Sequence, residues 1–192
     1  MLMPEGFHYW PDLVSEDEEA ALLEVFSALE FKPFEFKGFL GNRRVVSYGW
    51  RYDFNDSKLK RAAEIPQFLQ ALQSRAAQAA GLKPHAIEQA MVTEYAPGAA
   101  IGWHKDRSIF DDILGVSLAS ECTFRFRRKN GLKWDRASVI LEPRSAYVLR
   151  GPARSEWEHS IPPVGKLRYS ITFRTMKMAA HAAPGEPADQ VR

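Results

Sequence analysis

The pattern of apolar and polar positions divides the chain into two regions of different texture. Near the N-terminus, Leu22, Val25, Phe26 and Leu29 recur at helical spacing. Ser15, with Glu18 three residues on, forms a capping box that marks the start of that helix. A second helix is predicted over 65–80. Ile65, Phe68, Leu69, Leu72 and Ala76 make its buried stripe, Pro66 is tolerated in its first turn, and Gly81 suits its stop. Between the helices, Phe34–Leu40 and Arg43–Tyr48 flank Gly41-Asn42 and read as a β-hairpin. From about 87 to 175 the periodicity changes to that of strands, placed near 88–95, 113–118, 121–128, 133–141, 145–150 and 168–175. Asn130-Gly131 lies between two of them as a hairpin turn. Several short strands at close spacing predict a sandwich or a jelly roll. From about Lys177 the chain is rich in Ala, Pro and Gly and reads as a frayed tail.

Composition narrows the class. A chain of 192 residues, 45% hydrophobic and 26% charged, is sized for one domain with a full core. Cys122 is the only cysteine, which excludes a disulfide scaffold. No apolar run approaches the ~18 residues of a membrane span. The opening Met1-Leu2-Met3-Pro4-Glu5-Gly6 has no basic stretch followed by an apolar one, so a cytoplasmic monomer without membrane contact is expected. The net charge of +2 permits nucleic-acid binding without demanding it. Basic residues do cluster at Arg43-Arg44, along Arg125–Lys129, and at Arg168 with Arg174. Any one cluster alone reads as a solvated strand face. There is no P-loop, no Gly-x-Ser-x-Gly elbow and no His-Glu-x-x-His helix.

Of the five histidines, only His104 has a carboxylate two residues on, Asp106. In an extended segment residues i and i+2 share a face, so both side chains can converge on one metal ion. His159, on another segment, can supply a third ligand. Two histidines and a carboxylate make the facial triad of non-haem Fe(II) oxygenases. Taken alone, the same residues also read as a half-buried histidine, a turn aspartate and a loop cap before Pro162-Pro163. The segment Arg168–Arg174 adds weight because it alternates. Arg168, Ser170, Thr172 and Arg174 share one face, and Tyr169, Ile171 and Phe173 the other, which is core. A polar face on a buried strand must look into a polar cavity, and arginine is the natural partner of a carboxylate. Two such arginines stand ~20 Å apart on a straight strand at ~3.3 Å per residue. One reading has both on a single dicarboxylate; the other has one on the ligand and one in a structural ion pair.

The ordered set Thr93-Glu-Tyr95-Ala-Pro97-Gly98, then Trp103-His104-Lys105-Asp106, then His159, then Arg168 and Arg174, resembles the AlkB family over about residues 43–174. The resemblance implies a mainly β (α+β) fold, a double-stranded β-helix or jelly roll, with N-terminal supporting helices and a substrate-recognition hairpin. It implies one catalytic domain over 1–176, with about 1–86 as N-terminal extension and about 87–176 as jelly roll, and a tail at 177–192. It implies Fe(II) held by His104, Asp106 and His159, with 2-oxoglutarate as co-substrate and O2 as oxidant. Tyr95 and Arg168 would hold the distal carboxylate, with Thr93 and Ser170 nearby and Arg174 toward the metal-proximal end. The family often has asparagine where this chain has Thr93 and Ser170, and hydroxyls reach less far. Arg43, Arg44, Tyr48, Trp50 and Tyr52 correspond to its nucleotide-recognition region. Ser108 stands where its DNA-repair members commonly carry an acid that helps choose the base.

The resulting expectation is an oxidative demethylase of alkylated DNA or RNA bases, a DNA-repair activity. An alternative keeps the chemistry and acts on a protein side chain or a tRNA base. A second alternative is a metal-free jelly-roll binding module, in which His104, Asp106 and His159 would stand apart.

Overall fold

The computed structural model describes residues 2–36, 39–53 and 58–177. Its N-terminal part comprises β1 (Phe7–Trp10), α1 (Glu16–Ser27), β2 (Lys32–Phe36), β3 (Phe39–Tyr48), β4 (Trp50–Asp53), β5 (Lys58–Arg61) and α2 (Gln67–Ala79). The chain continues through β6 (Ile87–Tyr95), β7 (Ile101–His104), β8 (Phe110–Leu118), β9 (Cys122–Asn130) and β10 (Lys133–Leu141). It ends with β11 (Ala146–Leu149), α3 (Gly151–Ser155), β12 (Glu158–Ile161) and β13 (Arg168–Met176). A major sheet has the order β1-β11-β8-β13-β6-β3-β2 and a minor sheet the order β10-β9-β12-β7. β4 and β5 form a separate ribbon.

The two apolar layers follow from the alternation along the strands. The helices cover one face of the major sheet. Leu22, Phe26, Leu69, Leu72 and Ala76 pack there on Val92, Val116, Ile171 and Phe173. The second layer lies between the sheets and contains Ile113, Phe124, Phe126, Leu141, Leu149 and Trp157. This is the expected mainly β architecture, with the helices as its outer support.

Local signals hold at the helix ends. The capping box of α1 is formed in both directions, Glu18 N donating to Ser15 Oγ and Ser15 N to the Glu18 carboxylate. Gly81 follows the C-cap of α2 with φ of 69°, a left-handed conformation that glycine adopts at little cost. The turn signals shift by a few residues. Phe36 pairs with Phe39, and Gly41-Asn42 lie inside β3, not at a turn; residues 37–38 lie outside the described residues. Pairing of Arg43–Tyr48 with β6 extends β3 and overrides the local turn preference. Likewise Asn130 pairs with Lys133, so the turn residues are Gly131-Leu132, with Gly131 at φ 59°. Strands β1, β4, β5, β7 and β12 are not expected from the pattern; each is only four residues long. Residues 178–192, which cover all but Lys177 of the expected tail, lie outside the described residues. No helix among the described residues is long and apolar enough to cross a membrane.

An ion pair and a glycine make the stability of this scaffold testable. Arg75 donates to both Glu18 oxygens, at 2.5 and 2.6 Å. With the Ser15 backbone bond, this holds the carboxyl down at about 2, from an ordinary 4.5, against a smaller opposing effect of burial. A depressed acid stabilises the fold above its unfolded value and loses that contribution as pH falls through its folded value. The side chains are 38% and 41% exposed, so screening limits the gain to about 1 kcal/mol or less. Glu18→Gln should therefore lower stability to urea at pH 7, and its deficit should shrink between pH 4.5 and 2. Separately, Gly115 of β8 lies opposite Tyr147 of β11, and a Cβ there would overlap the tyrosine ring. Gly115→Ala should cost about 1–3 kcal/mol by overpacking, read as a lower urea midpoint.

Candidate active site

The minor sheet brings the histidines together. β7 and β12 run antiparallel with His104 opposite His159, ring centroids 4.3 Å apart. Both rings point between the sheets. Asp106 follows β7 by two residues, and its Oδ2 lies 3.5 Å from His159 Nε2. One donor atom from each of the three side chains falls within 4.8 Å of the others. This juxtaposition is the reverse of what a module with three scattered residues would show.

The protonation of the group suits a cation. His104 Nδ1 lies 2.9 Å from the Gly102 carbonyl, which can only accept, so Nδ1 is the donor there and Nε2 is the nitrogen available as a ligand atom. Burial, reinforced by His104, pushes the His159 imidazole down to about 3 against the pull of Asp106, so it too has a free lone pair. Burial alone would raise Asp106, but Arg174, then the two histidines and Arg154, hold it well below the ordinary carboxylate range. Two imidazole nitrogens and a carboxylate with open space beside them fit Fe(II).

The major sheet supplies the opposite wall. Cross-strand register stacks Arg43, Tyr95, Arg168 in one row and Val45, Thr93, Ser170, Ser117 in the next. Arg174 donates from Nε and Nη2 to Asp106 Oδ1, at 3.1 and 2.9 Å, and from Nη1 to Gln89. Arg168 is 1% exposed. It donates to Ser117 Oγ from Nε and Nη2 and stacks 4.9 Å over the Tyr95 ring. Its Nη1 is buried without a protein partner. An orphaned guanidinium nitrogen on a side chain that lines a polar cavity fits a carboxylate ligand. Thr93 and Ser170, the two short departures from the family pattern, are direct cross-strand partners.

A cavity of about 930 Å³ connects these groups, and Arg43, Tyr52, Tyr95, Arg107, Ser108 and Trp103 also line it. Arg107 stacks 4.7 Å from the Tyr52 ring at its rim. Three expected substrate contacts lie elsewhere. Alternation along β3 sends Arg43 into the cavity but turns Arg44 and Tyr48 to the helix-covered face. There Arg44 pairs with Glu94 at 2.7 Å and Tyr48 packs edge-on to Phe68. Gly49, at φ 73° and against the Glu88 carbonyl, then swings β4 away, and Trp50 stacks under Arg61 instead. Sequence reasoning missed Ser117, Gln89, Tyr147 and Arg154. Arg154, 9% exposed, donates from Nη2 to the Arg107 and Phe110 carbonyls. It thereby ties the segment leading to His159 to the loop that follows Asp106. None of the four has a sequence signal of its own, since each matters through a neighbour distant in the chain.

Comparison with known proteins agrees with this geometry. Residues 6–174 match the family model of the 2OG-Fe(II) oxygenase superfamily. The chain is 30% identical over 90% of its length to "Alkylated DNA repair protein ALKBH8 homolog" of Arabidopsis thaliana, spanning 56% of that protein. It is 32% identical over 57% of its length to "Alpha-ketoglutarate-dependent dioxygenase AlkB" of Escherichia coli, spanning 55% of that protein. The chain thus covers little more than half the length of either relative. The solved structure of OsALKBH1 superposes with a TM-score of 0.72 at 16% identity, covering 91% of this chain and 98% of that one, which shows a shared fold. With that match and the His104, Asp106, His159 cluster, the chain belongs to the 2OG-Fe(II) oxygenase superfamily, whose cofactors are Fe(II), 2-oxoglutarate and O2, and within it is similar to AlkB.

Proposed function

We propose that the protein oxidatively removes alkyl groups from nucleic-acid bases, with His104, Asp106 and His159 holding the iron. The observation that carries the substrate class is the composition of the cavity rim. Arg43 stacks 3.8 Å from the Phe34 ring, Arg107 stacks on Tyr52, and Trp103 flanks the histidines. Aromatic rings stack on bases and guanidinium groups meet phosphates. The names of the relatives, an alkylated-DNA repair protein among them, support the same class.

Iron and 2-oxoglutarate, when bound, would supply oxidation of a C–H bond by O2, one oxygen atom going to the substrate carbon and the other to the co-substrate, which becomes succinate and CO2. The protein's residues do the rest. Arg168, with Tyr95 behind it, neutralises the distal carboxylate. Ser117 holds the guanidinium in place while leaving Nη1 for the ligand. Arg174 orients Asp106 and keeps it ionised. The apolar walls, Phe110, Ile113 and Phe124, exclude water beside the triad. A base in a duplex would have to leave the stack to reach this depth.

Arg168→Ala should weaken 2-oxoglutarate binding by about 2–5 kcal/mol, the usual loss for truncating a buried charge pair. Arg174→Ala should act first on the metal, because it releases Asp106. Calorimetric titration with Co(II), then with 2-oxoglutarate, separates the two, and a larger co-substrate loss for Arg174→Ala would reverse the assignment.

For the substrate class, purified protein with Fe(II), 2-oxoglutarate and O2 should remove alkyl mass from at least one member of a panel of alkylated DNA and RNA oligonucleotides. The readout is mass spectrometry, with succinate formed in proportion. Co-substrate turnover with no change in any oligonucleotide would move the substrate to protein.

A further inference from the structure

The outer face of the minor sheet points away from the metal cluster and carries several exposed side chains. Alternation puts Phe124, Phe126, Ala137 and Leu141 inward. It puts Arg125, Arg127 and Lys129 of β9 outward, facing Ser138, Arg136 and Trp134 of β10 in register. Trp103 of β7 joins them. Arg125 and Arg127 stack on its ring at 5.0 and 4.6 Å, and Arg127 also lies 4.6 Å from Trp134. Four cations thus share a face with a single carboxylate, Glu158, which pairs with Arg127 at 2.6 Å, on a chain whose total net charge is only +2. Lys129 and Arg136 are exposed and make no ion pair among the described residues. Trp134 and Ile140, on the same face, are 42% and 44% exposed.

We infer that this face is a second nucleic-acid contact, a track that holds the sugar-phosphate strand beside the active site. It rests on the nucleic-acid reading proposed above. Charge complementarity is the first support. The cations of β9 repeat every second residue, ~6.8 Å apart, comparable to the phosphate spacing of an unstacked strand. Exposed indole surface among guanidinium groups suits base stacking. Continuity is the second. A groove of about 410 Å³ lies among Trp103, Arg125, Arg136 and Ser138, with Met3 of the N-terminal segment at its border, and Trp103 also lines the catalytic cavity. A strand whose target base enters the cavity would pass Trp103 and continue over β9 and β10.

The test is fluorescence-anisotropy titration of an unmodified mixed-sequence single-stranded DNA 16-mer, with Mn(II) and 2-oxoglutarate present, at several salt concentrations. Lys129→Gln/Arg136→Gln removes two exposed cations that make no ion pair among the described residues. It should weaken binding at least tenfold at low salt and flatten the log–log salt slope by about 1.4, or about 0.7 for each phosphate that is no longer neutralised. Lys83→Glu changes the net charge by the same amount on a distant exposed position and should leave the slope near wild type. Trp134→Ala should weaken binding severalfold without changing the slope. A steep wild-type slope that the double variant does not alter, or that Lys83→Glu flattens equally, overturns the track while the nucleic-acid reading stands. Wild-type protein that binds 2-oxoglutarate but not the 16-mer at low salt overturns both.

Discussion

Burial of β13 is the constraint on which the rest is arranged. All nine of its residues are buried in the middle of the major sheet, yet it carries two arginines. One face, Tyr169, Ile171 and Phe173, fits the helix-covered core. The other cannot be apolar, and a buried guanidinium is tolerated only when paired and hydrogen-bonded. The neighbouring strands therefore present polar groups along the matching rows. Gln89 and Asp106 satisfy Arg174, and Ser117 satisfies part of Arg168. What remains unsatisfied, Arg168 Nη1, belongs to a side chain that lines the cavity. The polar cavity is thus a consequence of placing charge on a central strand.

Asp106 joins the two walls. It belongs to the minor-sheet side by sequence, yet its Oδ1 takes two bonds from Arg174 on the major sheet while Oδ2 faces His159. The carboxylate is held in one orientation before any cation arrives, and Arg154 secures the loop behind it. Such pre-organisation reduces what the cation has to order on binding. Of the two sequence readings of the paired arginines, the ion-pair one describes Arg174, while Arg168 keeps a free donor.

Much of the scaffold was legible because it is written locally. The capping box, the apolar stripe of the second helix and the strict alternation of Arg168–Arg174 each lie within a dozen residues and appear where the pattern put them, except that Ile65 precedes α2 and Pro66 is its N-cap, not part of its first turn. The strands carrying His104 and His159 were not legible as strands. At four residues, β7 and β12 are too short to show a period, and they exist because β9 and each other complete their ladders. The recognition segment failed in another way. Reading Arg43, Arg44, Tyr48 and Trp50 as one surface ignores the twofold alternation, which separates neighbours onto opposite faces.

The sequence by itself determined the two long helices, the longer strands, the two faces of β13 and the identity of the three candidate metal ligands, because short-range periodicity and side-chain chemistry suffice for these. Only the tertiary structure decided which arginine is spent on a protein carboxylate and which keeps a donor for a ligand. It also decided that Arg43 enters the cavity while Arg44 leaves it, and that the cations of β9 and β10 share one face. Those outcomes depend on register between strands far apart in the chain, and a one-residue change of register would have exchanged every inward side chain for its neighbour.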